Sequence, residues 1–210
     1  MSRVEIISIE YGKSTLPERM IFYNGAENKL RSIVFMIYLI KTENRLILVD
    51  AGCESMPGFE MYEFTGAVNA LKRLGISLED ITDVIITHAH HDHIECVKYF
   101  NNAVIYIQKD EYENGKSYFA DRMRVKLFDE SAEICCNVRV VKIGGHSIGS
   151  CVVEITDDKQ KYVIAGDECY LRECIEKQIP TGSSYCWENS LGLIQKYCNG
   201  EYTVLLCHDK

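Results

Sequence analysis

The stretch "THAHHDHIE", residues 87–95, holds four of the six histidines of this 210-residue chain, together with an aspartate. Imidazole is the commonest metal ligand in proteins, and carboxylate oxygen accompanies it at zinc sites. His88 and His90 lie two residues apart, so their side chains face the same way in an extended segment. Asp92 and His93 stand at the start of a predicted helix and face a second point. The stretch therefore predicts ligands for metal ions, and one such loop is able to serve two of them.

Five apolar runs that read as strands are each followed by a histidine or an aspartate. These five residues are Asp50, His88, His146, Asp167 and His208. Functional groups collect in the loops at one edge of a sheet, so five such ends built from two residue types indicate that these side chains meet. The combined set of candidate metal ligands is His88, His90, Asp92, His93, His146, Asp167 and His208. Seven ligands, with Asp167 bridging, suit two metal ions roughly 3.5–4 Å apart.

Strands and helices alternate along the rest of the chain. Apolar runs predict strands over residues 4–9, 33–40, 45–50, 83–87, 103–108, 138–143, 151–156, 161–166 and 202–207. Helical spacing predicts helices over residues 58–75, 92–100, 109–119, 120–128 and 186–198. This interleaving predicts the α/β or α+β class with helices covering the sheets, and the hairpin-like pairs indicate mixed sheets. With three prolines and no Ser/Gly-rich linker, residues 1–210 are expected to form a single domain.

The overall charge limits the classes of partner. A net charge of −8 and a pI near 5.3 argue against binding to nucleic acid or to an anionic membrane. Residues 1–12 have no basic start followed by a long apolar core, so no export signal is predicted. The eight apolar residues 33–40 are too few to span a bilayer. We therefore expect a cytoplasmic protein whose partner is a small molecule.

The chain contains ten cysteines but no CxxC pair. Most of them lie in apolar, strand-like runs, which favours free buried thiols in a reducing compartment over a disulfide framework. Three of them, Cys53, Cys169 and Cys207, lie near the candidate ligands in the sequence and are kept as possible neighbours of a metal.

The motifs resemble a known family. "HAHHDH", residues 88–93, fits the H-x-H-x-D-H signature of the metallo-β-lactamase superfamily. "LILVDAG" before it, and "GGHSIG", "AGDE" and "CHD" after it, appear in the family's order. The resemblance implies a four-layer αββα sandwich with the site at one edge of the sheets. It implies one metal on His88, His90 and His146, and a second on Asp92, His93 and His208. Asp167 is then the bridging ligand.

Within that superfamily the chain looks most like the N-acyl homoserine lactonases. "AGDECY" places Tyr170 three residues after Asp167, where the lactonases have a tyrosine that contacts the substrate carbonyl. "IYIQKDEYENGKSYF" and "MPGFEMYEFTGAVNALKRLGI" also resemble lactonase segments. The resemblance implies a quorum-quenching metallo-hydrolase in which a metal-bound hydroxide attacks a carbonyl ester or lactone. Tyr170 and Asp92 are the candidate catalytic residues, with Asp92 passing a proton to the leaving group.

Other interpretations stay open at this point. A thioesterase of the glyoxalase II type and a phosphodiesterase or nuclease-type relative are the alternative hydrolases, and a di-iron redox or metal-binding protein is a third class. Zinc suits the ligands, but iron, manganese and cobalt accept the same donors. Asp50 is expected either to orient a ligand histidine or to cap the loop before Gly52. The acyl group and the oligomeric state do not follow from the sequence, so an oligomer stays possible.

Three features depart from the lactonase pattern. Glu95 stands where the family has glycine, His91 stands where the lactonases have an aromatic residue, and the segment after Gly52 is shorter. His91 is expected to be a solvated neighbour of the ligands, with a place at the substrate mouth as the alternative. Glu95 is expected to be an exposed residue in the first turn of a helix, where its charge is favourable. Closing part of the pocket is the alternative for Glu95.

Overall fold

The computed structural model describes residues 4–210 and contains two stacked mixed sheets. The first sheet has six strands whose spatial order follows the chain: β1 (Glu5–Pro17), β2 (Leu30–Lys41), β3 (Leu46–Val49), β4 (Asp83–Ile85), β5 (Val104–Gln108) and β6 (Arg124–Phe128). Strand β2 is antiparallel to both of its neighbours, β1 and β3, whereas β3 to β6 run parallel to one another. The mixed sheets predicted from the sequence are therefore confirmed.

The second sheet has five strands in the described residues. In spatial order they are β11 (Tyr202–Leu205), β10 (Lys161–Ile164), β9 (Cys151–Thr156), β8 (Val138–Lys142) and β7 (Ser131–Cys135). Only the β10–β11 pair is parallel. The α-helices of residues 4–210 are α1 (Glu18–Ile21), α2 (Ala67–Arg73), α3 (His91–Ile94), α4 (Lys109–Asn114), α5 (Arg172–Lys177) and α6 (Trp187–Tyr197).

Strand β2 explains why the stretch "IVFMIYLI" is apolar at every position. Successive side chains of a strand point to opposite faces. Tyr38 and Ile40 lie in the core between the two sheets with Val153. Ile37 and Leu39 lie in the core on the other face of the sheet, where the helices pack. Both faces of the strand are buried, as the four-layer αββα arrangement requires, so a continuous apolar run replaces alternation.

Two helical predictions are wrong. Residues 120–128 were expected to be helical, but Arg124–Phe128 form the edge strand β6. The helix expected over residues 58–75 is present only as α2, because the chain before it is held extended against β1. Tyr62 forms an isolated antiparallel bridge with Lys13 there, and the side chain of Phe64 packs against Gly12. Tertiary packing thus overrides the local helical spacing.

The ends of strands from both sheets meet at one edge of the sandwich. Asp50, just after β3, donates its backbone N–H to the carbonyl of Ile85 at the end of β4 over 2.8 Å. The end of β11 reaches β2 of the other sheet, where Met36 N–H donates to the Cys207 carbonyl over 2.9 Å. This junction brings the polar residues that follow the strands to one place.

Every helix in residues 4–210 is too short or too polar to cross a bilayer. The expectation that residues 1–12 carry no export signal also involves residues 1–3, which lie outside the described residues.

Candidate metal centre

Three imidazole nitrogens from two loops converge on one point. His90 Nδ1 lies 3.0 Å from His88 Nε2 and 2.9 Å from His146 Nε2. Asp167 completes this first donor group, with its Oδ2 3.7 Å from His88 Nε2 and 3.6 Å from His146 Nε2. His88, His146 and Asp167 are buried, whereas His90 is open to the cavity described below. The first donor group therefore has one accessible side.

A second donor group lies on the other side of Asp167. Asp167 Oδ1 is 3.1 Å from His93 Nε2 and 3.1 Å from His208 Nε2. Asp92 Oδ2 completes the group at 3.5 Å from His93 Nε2 and 3.7 Å from His208 Nε2. The structure thus brings all seven predicted ligands together. The two oxygens of Asp167 face different groups, as a bridging carboxylate requires.

The far ring nitrogens of these histidines are held by acceptors. His146 Nδ1 lies 2.6 Å from the Ser183 carbonyl, and His208 Nδ1 lies 2.9 Å from the Val34 carbonyl. A carbonyl oxygen only accepts, so both Nδ1 atoms carry a hydrogen. In a neutral ring the Nε2 atom then presents its lone pair to the donor group. This arrangement fixes ring orientation and tautomer at metal sites generally.

Asp50 orients His93 and the loop that carries the ligands. Its Oδ2 accepts a hydrogen bond from His93 Nδ1 over 2.8 Å, and its Oδ1 accepts one from the Thr87 backbone N–H over 2.8 Å. The Asp50 backbone has φ +61°, a left-handed conformation that is uncommon outside glycine. These bonds favour the orienting role of Asp50 over a simple loop cap.

Three buried atoms of the second group have no hydrogen-bond partner in the described part of the chain. They are His93 Nε2, His208 Nε2 and Asp167 Oδ1. An unpartnered buried polar atom is costly, and buried native groups nearly always have a partner. Such orphaned atoms, all aimed at one point, are what a bound cation would satisfy. The residues present therefore fit a metal in this group.

The charges of the site also favour the binding of cations. Burial lowers the pKa of His88 well below its usual value and that of His146 to about 4, so both rings are neutral ligands at pH 7. Burial opposes the charge of Asp167, but His208 and His93 hold its pKa well below the ordinary range. Burial opposes the charge of His93 and His208, but Asp167 raises the pKa of both rings, so a cation in the second group would take the place of their protons. Imidazole nitrogens with ionised carboxylates form the donor set that divalent cations such as zinc prefer. The two donor groups therefore fit two divalent cations.

A cavity of about 240 Å³ opens above the two donor groups. Its walls are apolar and are formed by Leu16, Met20, Ile33, Phe35, Met56 and Phe59. Its floor and rim are polar and are formed by His90, His91, Asp92, Asp167, Tyr170, Ser183 and His208. An apolar cavity with a few convergent polar groups is the usual form of a small-molecule site.

Tyr170 lies at the floor of this cavity. Its ring stacks on His208 with a centroid distance of 4.7 Å and an interplanar angle of 15°. The residue is only 5% exposed. Burial, followed by the charges of Asp167 and Asp92, raises the pKa of the Tyr170 hydroxyl well above its usual value, so the hydroxyl stays protonated. Tyr170 is therefore available as a hydrogen-bond donor beside the donor groups.

The buried carboxylate of Glu111, on α4, links the two loops that carry the ligands. Its Oε2 accepts from Ala89 N–H, between His88 and His90, over 2.8 Å. Its Oε1 accepts from Ser147 Oγ over 2.7 Å and from Gly149 N–H over 2.8 Å. Sequence reasoning missed Glu111, because its partners lie more than twenty residues away. In the polar sequence KDEYEN of α4, nothing distinguishes Glu111 from its acidic neighbours.

Glu168 is a second buried carboxylate that sequence reasoning missed. It accepts from the backbone N–H of Gly145 and of His146 over 3.0 and 3.1 Å, and from Ser190 Oγ over 2.6 Å. Ser150 Oγ donates to it as well. A Cβ atom on Gly145 would lie 2.2 Å from Glu168 Oε2, so glycine leaves room for the carboxylate.

The cysteines near the site remain thiols. All ten cysteines are free, as expected. Cys207 lies with Asp50 and His93 in a third cluster of candidate ligand atoms, but His93 Nδ1 in that cluster already donates to Asp50. Burial raises the pKa of Cys207 well above its usual value and that of Cys53 to about 12. Only a thiolate binds a metal well, so neither sulfur competes with the seven ligands.

Comparison with known proteins gives the family. The model of the metallo-beta-lactamase superfamily matches residues 36–191, which is most of the chain. The chain belongs to this superfamily. The matched region contains six of the seven residues of the two donor groups, and His208 follows it.

The superfamily members most similar to the chain include lactonases. The N-acyl homoserine lactonase of Bacillus thuringiensis is 29% identical over 205 residues, covering 86% of this chain and 82% of the relative. A quorum-quenching N-acyl homoserine lactone lactonase of known structure aligns with a TM-score of 0.85 and 25% identity, covering 100% of this chain and 94% of that one. AidC, a dizinc quorum-quenching lactonase in complex with the product N-hexanoyl-L-homoserine, has the same fold (TM-score 0.79, 19% identity, covering 100% and 88%).

Proposed function

We propose that this protein is a binuclear metallo-hydrolase that opens the lactone ring of N-acyl homoserine lactones. The observation that carries the proposal is the apolar cavity whose floor is formed by two donor groups with Asp167 between them. A lactone with an acyl chain has the matching shape, since it combines a polar carbonyl head with an apolar tail. The similarity to lactonases across most of both chains supports the same substrate class.

The proposed ligands are His88, His90 and His146 for one metal, and Asp92, His93 and His208 for the other, with Asp167 bridging. Two divalent cations bound there would supply Lewis-acid chemistry, polarising a carbonyl and activating water for attack. Zinc is the proposed metal because imidazole with carboxylate is its usual donor set, although iron, manganese and cobalt accept the same donors. The relative AidC is named as a dizinc enzyme.

Tyr170 is proposed to donate a hydrogen bond to the substrate carbonyl oxygen. That oxygen gains negative charge when water adds to the carbonyl carbon, so a fixed donor stabilises the transition state more than the ground state. The stacking of Tyr170 on His208 holds the ring, and with it the hydroxyl oxygen, in place before substrate binds. Its raised pKa keeps the donor hydrogen in place at neutral and alkaline pH.

Asp92 is proposed to move the proton that the leaving alkoxide needs. Hydrolysis adds one water, breaks the ring C–O bond, and yields a carboxylate and an alcohol. Asp92 lines the cavity with its carboxylate, and its backbone is fixed because Tyr11 Oη donates to the Asp92 carbonyl over 2.7 Å. A carboxylate placed at the reacting bond can accept a proton from water and deliver it to the alkoxide.

The cavity favours a lactone over a phosphodiester, because its described lining would leave the two proposed cations as the only positive charges to meet a phosphate. A phosphodiester carries a negative charge, and proteins usually bind it with lysine or arginine. The described residues that line the cavity include neither. The acidic net charge of −8 points the same way. A thioester has a similar carbonyl and leaving group, so a thioesterase stays the second candidate and is separated by experiment.

A substrate panel tests the proposed function. Zinc-loaded protein is expected to hydrolyse N-hexanoyl homoserine lactone with kcat/KM of at least about 10⁴ M⁻¹ s⁻¹, the lower end of the usual range for enzymes. S-acyl glutathione thioesters and bis-aryl phosphates are expected to react at least about 100-fold more slowly. Their polar or charged groups do not fit the apolar cavity walls as an acyl chain does. Ring opening is followed by mass spectrometry of the acyl homoserine product, with chelated protein as the control. Hydrolysis of thioesters or phosphates with no ring opening would overturn the proposal.

A further inference from the structure

His91 and Glu95, the two residues that depart from the lactonase pattern, both bind the backbone of the segment after Gly52. His91 Nε2 lies 2.9 Å from the Ser55 carbonyl oxygen. Glu95 Oε2 accepts a hydrogen bond from the Glu54 backbone N–H over 2.9 Å. The Glu95 side chain is only 13% exposed, so the expectation of an exposed Glu95 is wrong. Two neighbouring residues of one segment are thus tied to the ligand loop by side chains.

The two hydrogen bonds of His91 leave its ring no free donor. The Ser55 carbonyl only accepts, so Nε2 of His91 carries the hydrogen. In a neutral ring Nδ1 then accepts from the Tyr118 hydroxyl, which lies 3.0 Å away. His91 is half-buried and lines the cavity, which favours the place at the substrate mouth over a solvated neighbour of the ligands. A ring held at both nitrogens offers substrate only its flat surface, and its hydrogen bonds act on the segment.

The segment leads into a turn that forms part of the cavity wall. Phe59 N–H donates to the Met56 carbonyl over 3.2 Å, and Gly58 between them has φ +87°. Proline followed by glycine with positive φ is the usual centre of a type II turn. Met56 and Phe59, the two ends of the turn, both line the cavity. On the far side, Ser14 Oγ donates to the Glu60 carbonyl over 2.8 Å.

The residues before the turn lie in neither a helix nor a strand. Their position depends on bonds to other parts of the chain. Glu54 Oε1 accepts from Val68 N–H over 3.1 Å, and the bonds made by Glu95 and His91 hold the backbone of Glu54 and Ser55. We propose that His91 and Glu95 are positioning residues that hold the turn Met56–Phe59 against the cavity and thereby set which acyl groups it accepts. This inference rests on the proposed function, since the acyl chain is the part of the substrate that an apolar wall contacts.

Hydrogen exchange measures the local stability of the turn Met56–Phe59 independently of catalysis. Full-length, metal-loaded protein with Glu95→Ala, with His91→Phe and with both changes is compared with wild type. The Phe59 amide, which donates to the Met56 carbonyl across the turn, is expected to exchange at least about 10-fold faster in the double variant, because two side-chain bonds that hold the residues before the turn are lost. Metal content is measured in parallel, since His91 and Glu95 are not proposed as ligands.

Two matched controls separate the hydrogen bond between Glu95 and Glu54 N–H from the negative charge of Glu95. Glu95→Gln keeps an acceptor oxygen for Glu54 N–H and is expected to exchange at close to the wild-type rate. Lys98→Met removes the ion pair that Lys98 makes with Glu95 Oε1, together with the contact of its ammonium group with the Tyr99 ring, and wild-type exchange is expected again. Wild-type exchange in the double variant would contradict the inference.

Kinetics with lactones of different acyl length measure the consequence for substrate choice. The double variant is expected to shift the ratio of KM values for hexanoyl and decanoyl lactones about 5- to 10-fold, with a smaller change in kcat, because the wall moves and the reacting groups do not. Faster exchange with an unchanged ratio would overturn the role in acyl selection. If wild type opens no lactone, the proposed function and the acyl role fail together, while the exchange data still decide whether the two side chains hold the turn.

Discussion

Asp167→Ala is expected to remove both bound metals and to lower kcat/KM for lactone hydrolysis by more than about 100-fold. Asp167 is the only one of the seven residues whose two oxygens face both donor groups, at 3.1 Å from the His93 and His208 nitrogens and 3.6–3.7 Å from those of His88 and His146. Residues that merely support a ligand often change metal affinity or activity 10- to 100-fold, so loss of a shared ligand should exceed that.

Metal analysis and kinetics of the purified variant check this expectation. Asp129→Ala is a matched control, because Asp129 is an exposed aspartate whose carboxylate pairs only with Lys109 in the described structure. The control should retain two metals and wild-type activity, and circular dichroism should show both variants folded. A folded Asp167→Ala protein with two metals and normal turnover would rule out the bridging role.

Tyr170→Phe is expected to lower kcat about 100-fold with a small change in KM. The substitution removes one hydroxyl from the cavity floor but keeps the ring that stacks on His208. Loss of a single donor to a developing oxyanion typically costs about 10²–10³ in kcat, because the bond matters most in the transition state. Steady-state kinetics on hexanoyl homoserine lactone separate kcat from KM.

Tyr162→Phe is the control for Tyr170→Phe. Tyr162 lies on β10, the strand that leads to Asp167, and its hydroxyl contacts Gln160 at 3.3 Å. This control should behave as wild type, and both variants should bind two metals. If Tyr170→Phe has an unchanged kcat, Tyr170 plays no part in the chemistry and the carbonyl is stabilised by other groups.

The donor groups were predictable from the sequence because their residues follow a simple physical pattern. Buried strands read as apolar runs. Asp50 comes directly after β3, and three residues after the ends of β4, β10 and β11 come His88, Asp167 and His208. A two-residue spacing in an extended loop explains why His88 and His90 face the same group. The resemblance to a known family then divided the ligands between the two groups.

Short sequence patterns did not predict the structure correctly where contacts with distant parts of the chain determine it. β6 is an edge strand with mostly exposed or half-exposed side chains, so its sequence carries no clear strand pattern. Glu111 and Glu168 bind loops that lie more than twenty residues away, and no short motif reports such contacts. The roles of His91 and Glu95 were not predicted for the same reason, because their partners Ser55 and Glu54 are remote in the sequence.

Several expectations from the sequence stay predictions. They are the single domain over residues 1–210, the cytoplasmic location, and the absence of nucleic-acid and membrane partners. The metal-binding roles of the seven residues and the catalytic roles of Asp92 and Tyr170 are proposals that rest on their geometry.

Metal titration of the chelated protein tests the central claim most directly. Zinc is added stepwise while lactone ring opening and bound zinc are measured on the same samples. A binuclear site with a shared aspartate predicts that activity rises until two equivalents are bound and then stays constant. Full activity in the chelated protein, or saturation at one bound equivalent, would contradict the account.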